Sequence, residues 1–263
     1  MKFMLAERVL EIESGISDID IASYTGKLEE LERKFIKAFG PDASRPARSI
    51  ASLMVFLHDS EGFRSGPELY LFYQTLDTKT GNCFTLSCLY LSLGERLGLP
   101  LRAVMAPYHV IVGIDGTGMC IETTSGSLEM DEHYISSHSI DPRSIENRAY
   151  MSRLAPEAIV ACALENRACF YVSSGRLEAA LGDANAAINV APTIPSLYNL
   201  RGGVYARMFR LKEASEDYDR CIELDPNYRD AFRNRAWASM LRLKPASALR
   251  DFYKASRLPS RPE

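Results

Sequence analysis

The C-terminal third of the chain repeats itself every 34 residues, and no other feature constrains the fold as tightly. Pro192 and Pro226 define the spacing. In the same register fall Ala180, Ala214 and Ala248; Arg167, Arg201 and Arg235; Asp183, Asp217 and Asp251; and Tyr171 with Tyr205. A unit of this length cannot bury its apolar face alone, so successive units must stack and share a core. Arg and Asp recur strictly together. That favours an ion pair tying one helix of the array to the next over a charged stripe that recognises a ligand, because a binding stripe leaves one sign uncompensated. Trp237, Phe232 and Phe252 are expected in the core or at the end of the array, and Leu258–Glu263 as a frayed tail.

The rest of the chain is organised around Gly81-Asn82-Cys83. Thr80-Gly81-Asn82 is a turn and helix-start signal, after which Leu86, Leu89, Tyr90, Leu93 and Leu97 share one helical face until Gly98 and Pro100 end it. Cys83 therefore sits in the first turn, where unpaired N–H groups and the positive end of the helix dipole favour an anion. This setting lowers a thiol pKa and leaves amides free for an oxyanion. Three runs rich in Val and Ile follow, Leu101–Ala106, His109–Ile114 and Met119–Thr124, and read as antiparallel strands. A two-residue Asp115-Gly116 turn would pair Ile114 with Thr117 and, counting back, His109 with Glu122. A slip of one residue would put them on opposite faces. Cys83, His109 and Glu122 are thus the candidate catalytic residues, in the order nucleophile, base and orienting acid. Gln74 is a candidate side-chain donor to the oxyanion.

Upstream, residues 1 to about 80 read as mainly helical. One helix follows the cap candidates Ser17 to Asp20, carries Leu28, Leu31, Phe35 and Phe39, and stops at Gly40-Pro41. A second runs from about Ser49 to His58, and the apolar run Leu69–Tyr73 is a short third. Residues from Met130 to about Met151 read as a polar, irregular loop beside the site. His58 fits a structural role, and His133 and His138, five residues apart, do not share a helical face for metal ligation.

Composition narrows the function. At 263 residues, 46% hydrophobic and 25% charged, the chain can build two cores without covalent staples. A net charge of -3 and a pI near 5.9 give no basic field for nucleic acid or anionic lipid. No apolar run is long enough to span a membrane, and the start is interrupted by charge too early for a secretory signal, so a cytoplasmic location is expected. The six cysteines form no CxxC pair. Cys88, Cys120, Cys162, Cys169 and Cys221 read as small core residues, with neither metal nor other cofactor implied.

Taken together, GNCFTLSCLYLSLGERLGLPLRAV at 81–104, PYHVIV at 107–112 and IETTSG at 121–126 resemble bacterial transglutaminase-like proteins of the SirB type. The repeats resemble tetratricopeptide (TPR) repeats, each a pair of antiparallel helices with small residues where the helices approach. The resemblance implies an α+β papain/transglutaminase-like core, with a helical lead-in and a Cys-bearing helix packed on a small antiparallel sheet, over residues 1–155. An all-α array of three TPR units would follow over 156–263. It implies a nucleophilic Cys, a His and an acid at Cys83, His109 and Glu122, with Glu standing where the wider superfamily has Asp. The activity implied is cysteine-dependent acyl transfer of the peptidase, amidase or transglutaminase type on a peptide or amide substrate. The repeats would hold a protein or peptide partner, and such a protein could equally act as an adaptor without using the thiol.

Overall fold

The computed structural model describes residues 5–40, 45–66 and 71–258. Leu69, Tyr70 and the residues after Leu258 lie outside the described residues. The framework falls into two compact units. The first takes in residues through Val104, then His109–Ser137 and Arg153–Ala163. It opens with α1 (Leu5–Ser14) and α2 (Ile21–Phe39). Asp20 starts α2 by accepting from the Ala22 and Ser23 amides, and Gly40 closes it by bonding back to the Ile36 carbonyl. Next is α3 (Pro46–Val55), which continues as a π-helical turn over Phe56–Ser60. The two-residue strand β1 (Arg64–Ser65) pairs in parallel with β2 (Thr80–Gly81) across α4 (Phe72–Thr78).

The centre of this unit is α5 (Cys83–Leu97). Asn82 and Thr85 form a reciprocal capping box at its start, and Gly98 takes the left-handed conformation at its end. Phe84 through Gly94 are all buried, so the helix is a core element on every face beyond its first turn. It packs against α1 and against the sheet through β4. The sheet is built from β3 (Leu101–Ala106), β4 (His109–Ile114), β5 (Met119–Glu122) and β6 (Ser127–Met130), and from β7 (Arg153–Leu154) downstream, in the order β6-β5-β4-β3-β7.

The β4–β5 register differs from the sequence expectation. Ile114 pairs with Met119, Gly113 with Cys120 and Val112 with Ile121, so the connection is the four residues Asp115 to Gly118 rather than Asp115-Gly116 alone. The Thr117 hydroxyl causes the extension: it donates to the Ile114 carbonyl and accepts from the Met119 amide, while Gly116 and Gly118 both adopt positive φ. The slip is two residues. Because side chains alternate with a period of two, His109 and Glu122 keep the same face and become diagonal rather than direct neighbours.

The stretch Met130–Met151 is also more regular than expected. It holds α6 (Asp131–Ser137) and α7 (Pro142–Glu146), the latter started by the Asp141 carboxylate on the Arg143 amide with Pro142 at the first position. Polar composition masked these two helix-start signals.

The second unit comprises Met105–Tyr108, His138–Ser152 and the chain from Leu164 onward. Its helices are α8 (Ala158–Ser173, from Leu164), α9 (Leu177–Val190), α10 (Pro195–Arg207), α11 (Leu211–Leu224), α12 (Arg229–Leu241) and α13 (Pro245–Arg257). The columns of alanine occupy the contacts: Ala180, Ala214 and Ala248 are each fully buried. The Arg and Asp columns pair as expected. Arg167 Nε and Nη2 each lie 2.8 Å from Asp183, Arg201 repeats this on Asp217 at 2.8 and 2.7 Å, and Arg235 on Asp251 at 2.8 Å. Each fork joins the two helices of one unit. Asp225 anchors residues 138–152 of the same unit, accepting from the Ser144 hydroxyl at 3.1 Å and the Tyr150 hydroxyl at 2.8 Å.

Two expectations about burial need correction. Cys169 is exposed on α8 and Cys162 only half-buried, whereas Cys88, Cys120 and Cys221 are buried. Trp237 is 59% exposed and touches Phe252 edge-on with ring centres 5.3 Å apart, while Phe232 is buried. Helix periodicity sets these differences, since Cys169 and Trp237 fall at exposed positions of α8 and α12. No helix among the described residues is long and apolar enough to cross a membrane.

Candidate active site

Cys83 is the first residue of α5, so its position is set by the capping box. The Asn82 side chain accepts from the Thr85 amide at 3.0 Å, the Thr85 hydroxyl accepts from the Asn82 amide at 3.1 Å, and the Leu86 amide bonds the Asn82 carbonyl. The Cys83 and Phe84 amides are the first-turn donors this leaves over. Gly81 is required just before the cap. A Cβ there would come within 2.3 Å of the Thr85 hydroxyl and 2.7 Å of the Thr75 hydroxyl, two buried groups that bond each other at 2.8 Å.

His109 opens β4 directly after Tyr108, which turns the chain with a φ of 57°. Its imidazole hydrogen-bonds both Cys83 and Glu122. The Glu122 contact is Nε2 to Oε2 at 2.8 Å. The other carboxylate oxygen, Oε1, is held by the Thr124 amide at 3.0 Å and the Thr124 hydroxyl at 2.6 Å. Glu122 is therefore fixed at both ends. Its extra methylene relative to Asp supplies the reach that a diagonal pairing needs.

The electrostatics of the three groups agree. Burial pushes the Cys83 thiol up, but the bond to His109, the imidazolium charge and the Val110 backbone pull it down further, and the net position is below an ordinary thiol. Burial disfavours the His109 imidazolium, yet the bonds to Cys83 and Glu122 outweigh it and raise the group to about 10. Glu122 is raised by burial and lowered more by His109 and Thr124, ending below the usual carboxylate range. All three directions favour the ionised forms, thiolate, imidazolium and carboxylate, more than isolated side chains would.

The other sequence candidates separate from this cluster. Gln74 lies on α4, and its side chain bonds none of the three residues. His58 sits in the π-helical turn with its ring against Gly126 and 6.1 Å from the Tyr90 ring; its Nε2 is buried without a hydrogen-bond partner. His133 is exposed on α6. Among the described residues no group of three or more His, Cys, Asp or Glu is arranged to hold a metal ion. Sequence reasoning missed Thr124, although its place two residues after the acid in Glu122-Thr123-Thr124 is a local side-chain-to-backbone signal.

Comparison with known families matches residues 22–159 to the transglutaminase-like superfamily and residues 195–228 to the tetratricopeptide repeat. Among curated proteins, the chain is similar to the DnaJ homolog subfamily C member 7 homolog of Dictyostelium discoideum, with 28% identity over 48% of this chain and 24% of that protein. It is similar to the protein O-mannosyl-transferase TMTC3 of Homo sapiens, with 29% identity over 54% of this chain and 15% of that protein. A UPF0162 protein of Xylella fastidiosa is 23% identical over 59% of this chain and 58% of its own length. The chain thus spans less than two thirds of each of these relatives. Among solved structures, the second TPR of Spaghetti (RPAP3), bound to an HSP90 peptide, aligns over 38% of this chain and 92% of its own with 25% identity and a TM-score of 0.37. MamA aligns over 36% of this chain and 56% of its own with 23% identity and a TM-score of 0.35. The transglutaminase-like match covers more than half of the chain and takes in Cys83, His109 and Glu122; the chain belongs to the transglutaminase-like superfamily, joined to tetratricopeptide repeats.

Proposed function

We propose that this protein is a cysteine-dependent acyl-transfer enzyme of the peptidase, amidase or transglutaminase type, whose repeats hold a protein or peptide partner. The observation that supports this best is the bonded chain from Cys83 through His109 to Glu122, with a thiol lowered by its imidazole. Cys83 attacks an amide or ester carbonyl as the thiolate, and the oxyanion meets the free amides of the first turn of α5. His109 delivers its proton to the leaving group and later takes one from water or an amine. Glu122 keeps the ring in the tautomer that serves the sulfur. The acyl group passes to water in a hydrolase or to an amine in a transglutaminase. The resemblance to bacterial SirB-type proteins supports the same combination of core and repeats.

The test is selective modification. Iodoacetamide near neutral pH is expected to label Cys83 ahead of the five other cysteines, and His109→Ala to slow that labelling. Equal labelling of all six, or no labelling of Cys83 in the native protein, would overturn the enzyme reading. Mass spectrometry after exposure to a panel of acyl electrophiles, wild type against Cys83→Ala, then reports the acyl preference.

A second reading rests on an independent observation, the tetratricopeptide match at 195–228. The repeats serve as a docking module for a peptide segment whether or not the thiol turns over. Retained partner capture by Cys83→Ala protein would separate this role from catalysis.

A further inference from the structure

One hydroxyl joins the three segments that carry the candidate catalytic residues. Ser87 lies one helical turn after Cys83, on the same face of α5. A serine inside a helix ordinarily bonds the carbonyl four residues back. Here its Oγ reaches across to β4 instead, 3.2 Å from the Val110 carbonyl, and it also lies 3.1 Å from the Thr123 hydroxyl. A serine hydroxyl has a single proton, and Val110 takes it, so Thr123 is the donor in the second bond. Val110 follows His109 in sequence, and Thr123 follows Glu122. Both Ser87 and Thr123 are fully buried.

Packing alone does not call for these groups. Two hydroxyls in an interior otherwise filled by Leu86, Cys88, Leu89, Val110 and Ile111 cost free energy unless bonded, and an Ala and Val pair would fill similar volume. What the pair adds is direction. It fixes the distance from α5 to the backbone just beyond His109 and to the backbone just beyond Glu122. An apolar pair could slide at that point, and the three reactive groups would slide with it.

We infer that Ser87 and Thr123 are positioning residues, a buried hydroxyl relay that holds Cys83, His109 and Glu122 in register. The inference rests on the nucleophile reading of Cys83. Neither hydroxyl contacts the sulfur, so their effect passes through the geometry of α5, β4 and the turn after β5.

The test compares Cys83 alkylation by iodoacetamide as a function of pH in the full-length wild type, Thr123→Ser, Thr123→Val and the Ser87→Ala/Thr123→Val double variant. Thr123→Ser is expected to keep the wild-type rate and inflection. Thr123→Val and the double variant should label roughly tenfold more slowly near neutral pH, with the inflection moved up toward an ordinary thiol. In Thr123→Val the Ser87 proton still goes to the Val110 carbonyl, whereas the double variant removes that bond as well, so its thermal midpoint should lie below that of Thr123→Val. Slow labelling without a matching loss of stability marks positioning; a role in packing alone would move the two together. If wild-type Cys83 is not selectively labelled, the nucleophile reading fails first. If it is, and Thr123→Val labels like Thr123→Ser, the relay is overturned, and this comparison stands even if the double variant does not fold.

Discussion

The two units use the same chemistry, a cationic nitrogen on a carboxylate, for opposite ends. In the repeats, Arg201 engages both oxygens of Asp217 with two nitrogens, and the fork recurs at Arg167 with Asp183 and at Arg235 with Asp251. Both carboxylate oxygens are engaged, and arginine does not give up its proton. In the core, His109 gives only one ring nitrogen to Glu122, and the same ring also interacts with the Cys83 thiol. A closed pair fastens two helices. An open pair keeps one valence for chemistry, and the protein fixes its far end through Thr124 instead.

This contrast can be broken at either end. Asp217→Ala leaves a partly buried guanidinium without its anion and is expected to destabilise the fold by about 3 kcal/mol, measured by chemical denaturation, with Cys83 labelling unchanged in the native baseline. His109→Ala acts at the other end. Alkylation of Cys83 at pH 7 should fall roughly 30-fold or more as the thiol returns toward its ordinary range.

Glu122→Gln sharpens the comparison by keeping the shape and removing the charge. The ion pair of Cys83 and His109 exists between the lowered thiol value and the raised imidazole value of about 10. Without the Glu122 charge the imidazolium is held less firmly and lowers the thiol less, offset in part by loss of the carboxylate's own upward pull on the sulfur, so labelling near pH 7 should drop by about threefold. The sign for stability follows from the same shifts. His109 is raised, so its contribution is complete below the ordinary histidine value and is lost as pH climbs through about 10; Glu122 is lowered, so its share is lost as pH falls through the acid range. A pH-stability curve of Glu122→Gln should be flatter at both ends.

Glu13 supplies the limiting case, a buried carboxylate bonded to backbone amides and to no cation. It accepts from the Phe72 amide at 2.5 Å and the Tyr73 amide at 3.1 Å, capping α4 from α1, and burial raises it to about 7 despite those bonds. The native state therefore holds its proton more tightly than the unfolded chain. Stability should decline as pH rises from roughly 4.5 to 7, and Glu13→Gln should remove that slope in denaturation measured at the two ends of the interval.

How much of this was legible before the structure depended on the range of the signal. The cap at Asn82, the stop at Gly98, the strand triplet and the Arg and Asp columns are local or strictly periodic, and all are found where the sequence puts them. The register of β4 and β5 was not legible, because Asp115-Gly116 competes with a four-residue turn whose deciding contact is the Thr117 hydroxyl. The error was two residues, so alternation kept His109 and Glu122 together. Ser87 was unreadable for a different reason: a serine inside an apolar helix gives no sign of which neighbour it bonds until that neighbour is in place.

The sequence alone therefore determined the helix that presents Cys83, the order of the three candidate residues and the pairing that closes each repeat, because local hydrogen bonding and a fixed period dictate them. Only the tertiary structure decided that Glu122 reaches His109 along a diagonal, that Thr124 pins its other oxygen and that Ser87 ties the three segments together. Those contacts join residues far apart in the chain, and their geometry exists only once the helix is packed against the sheet.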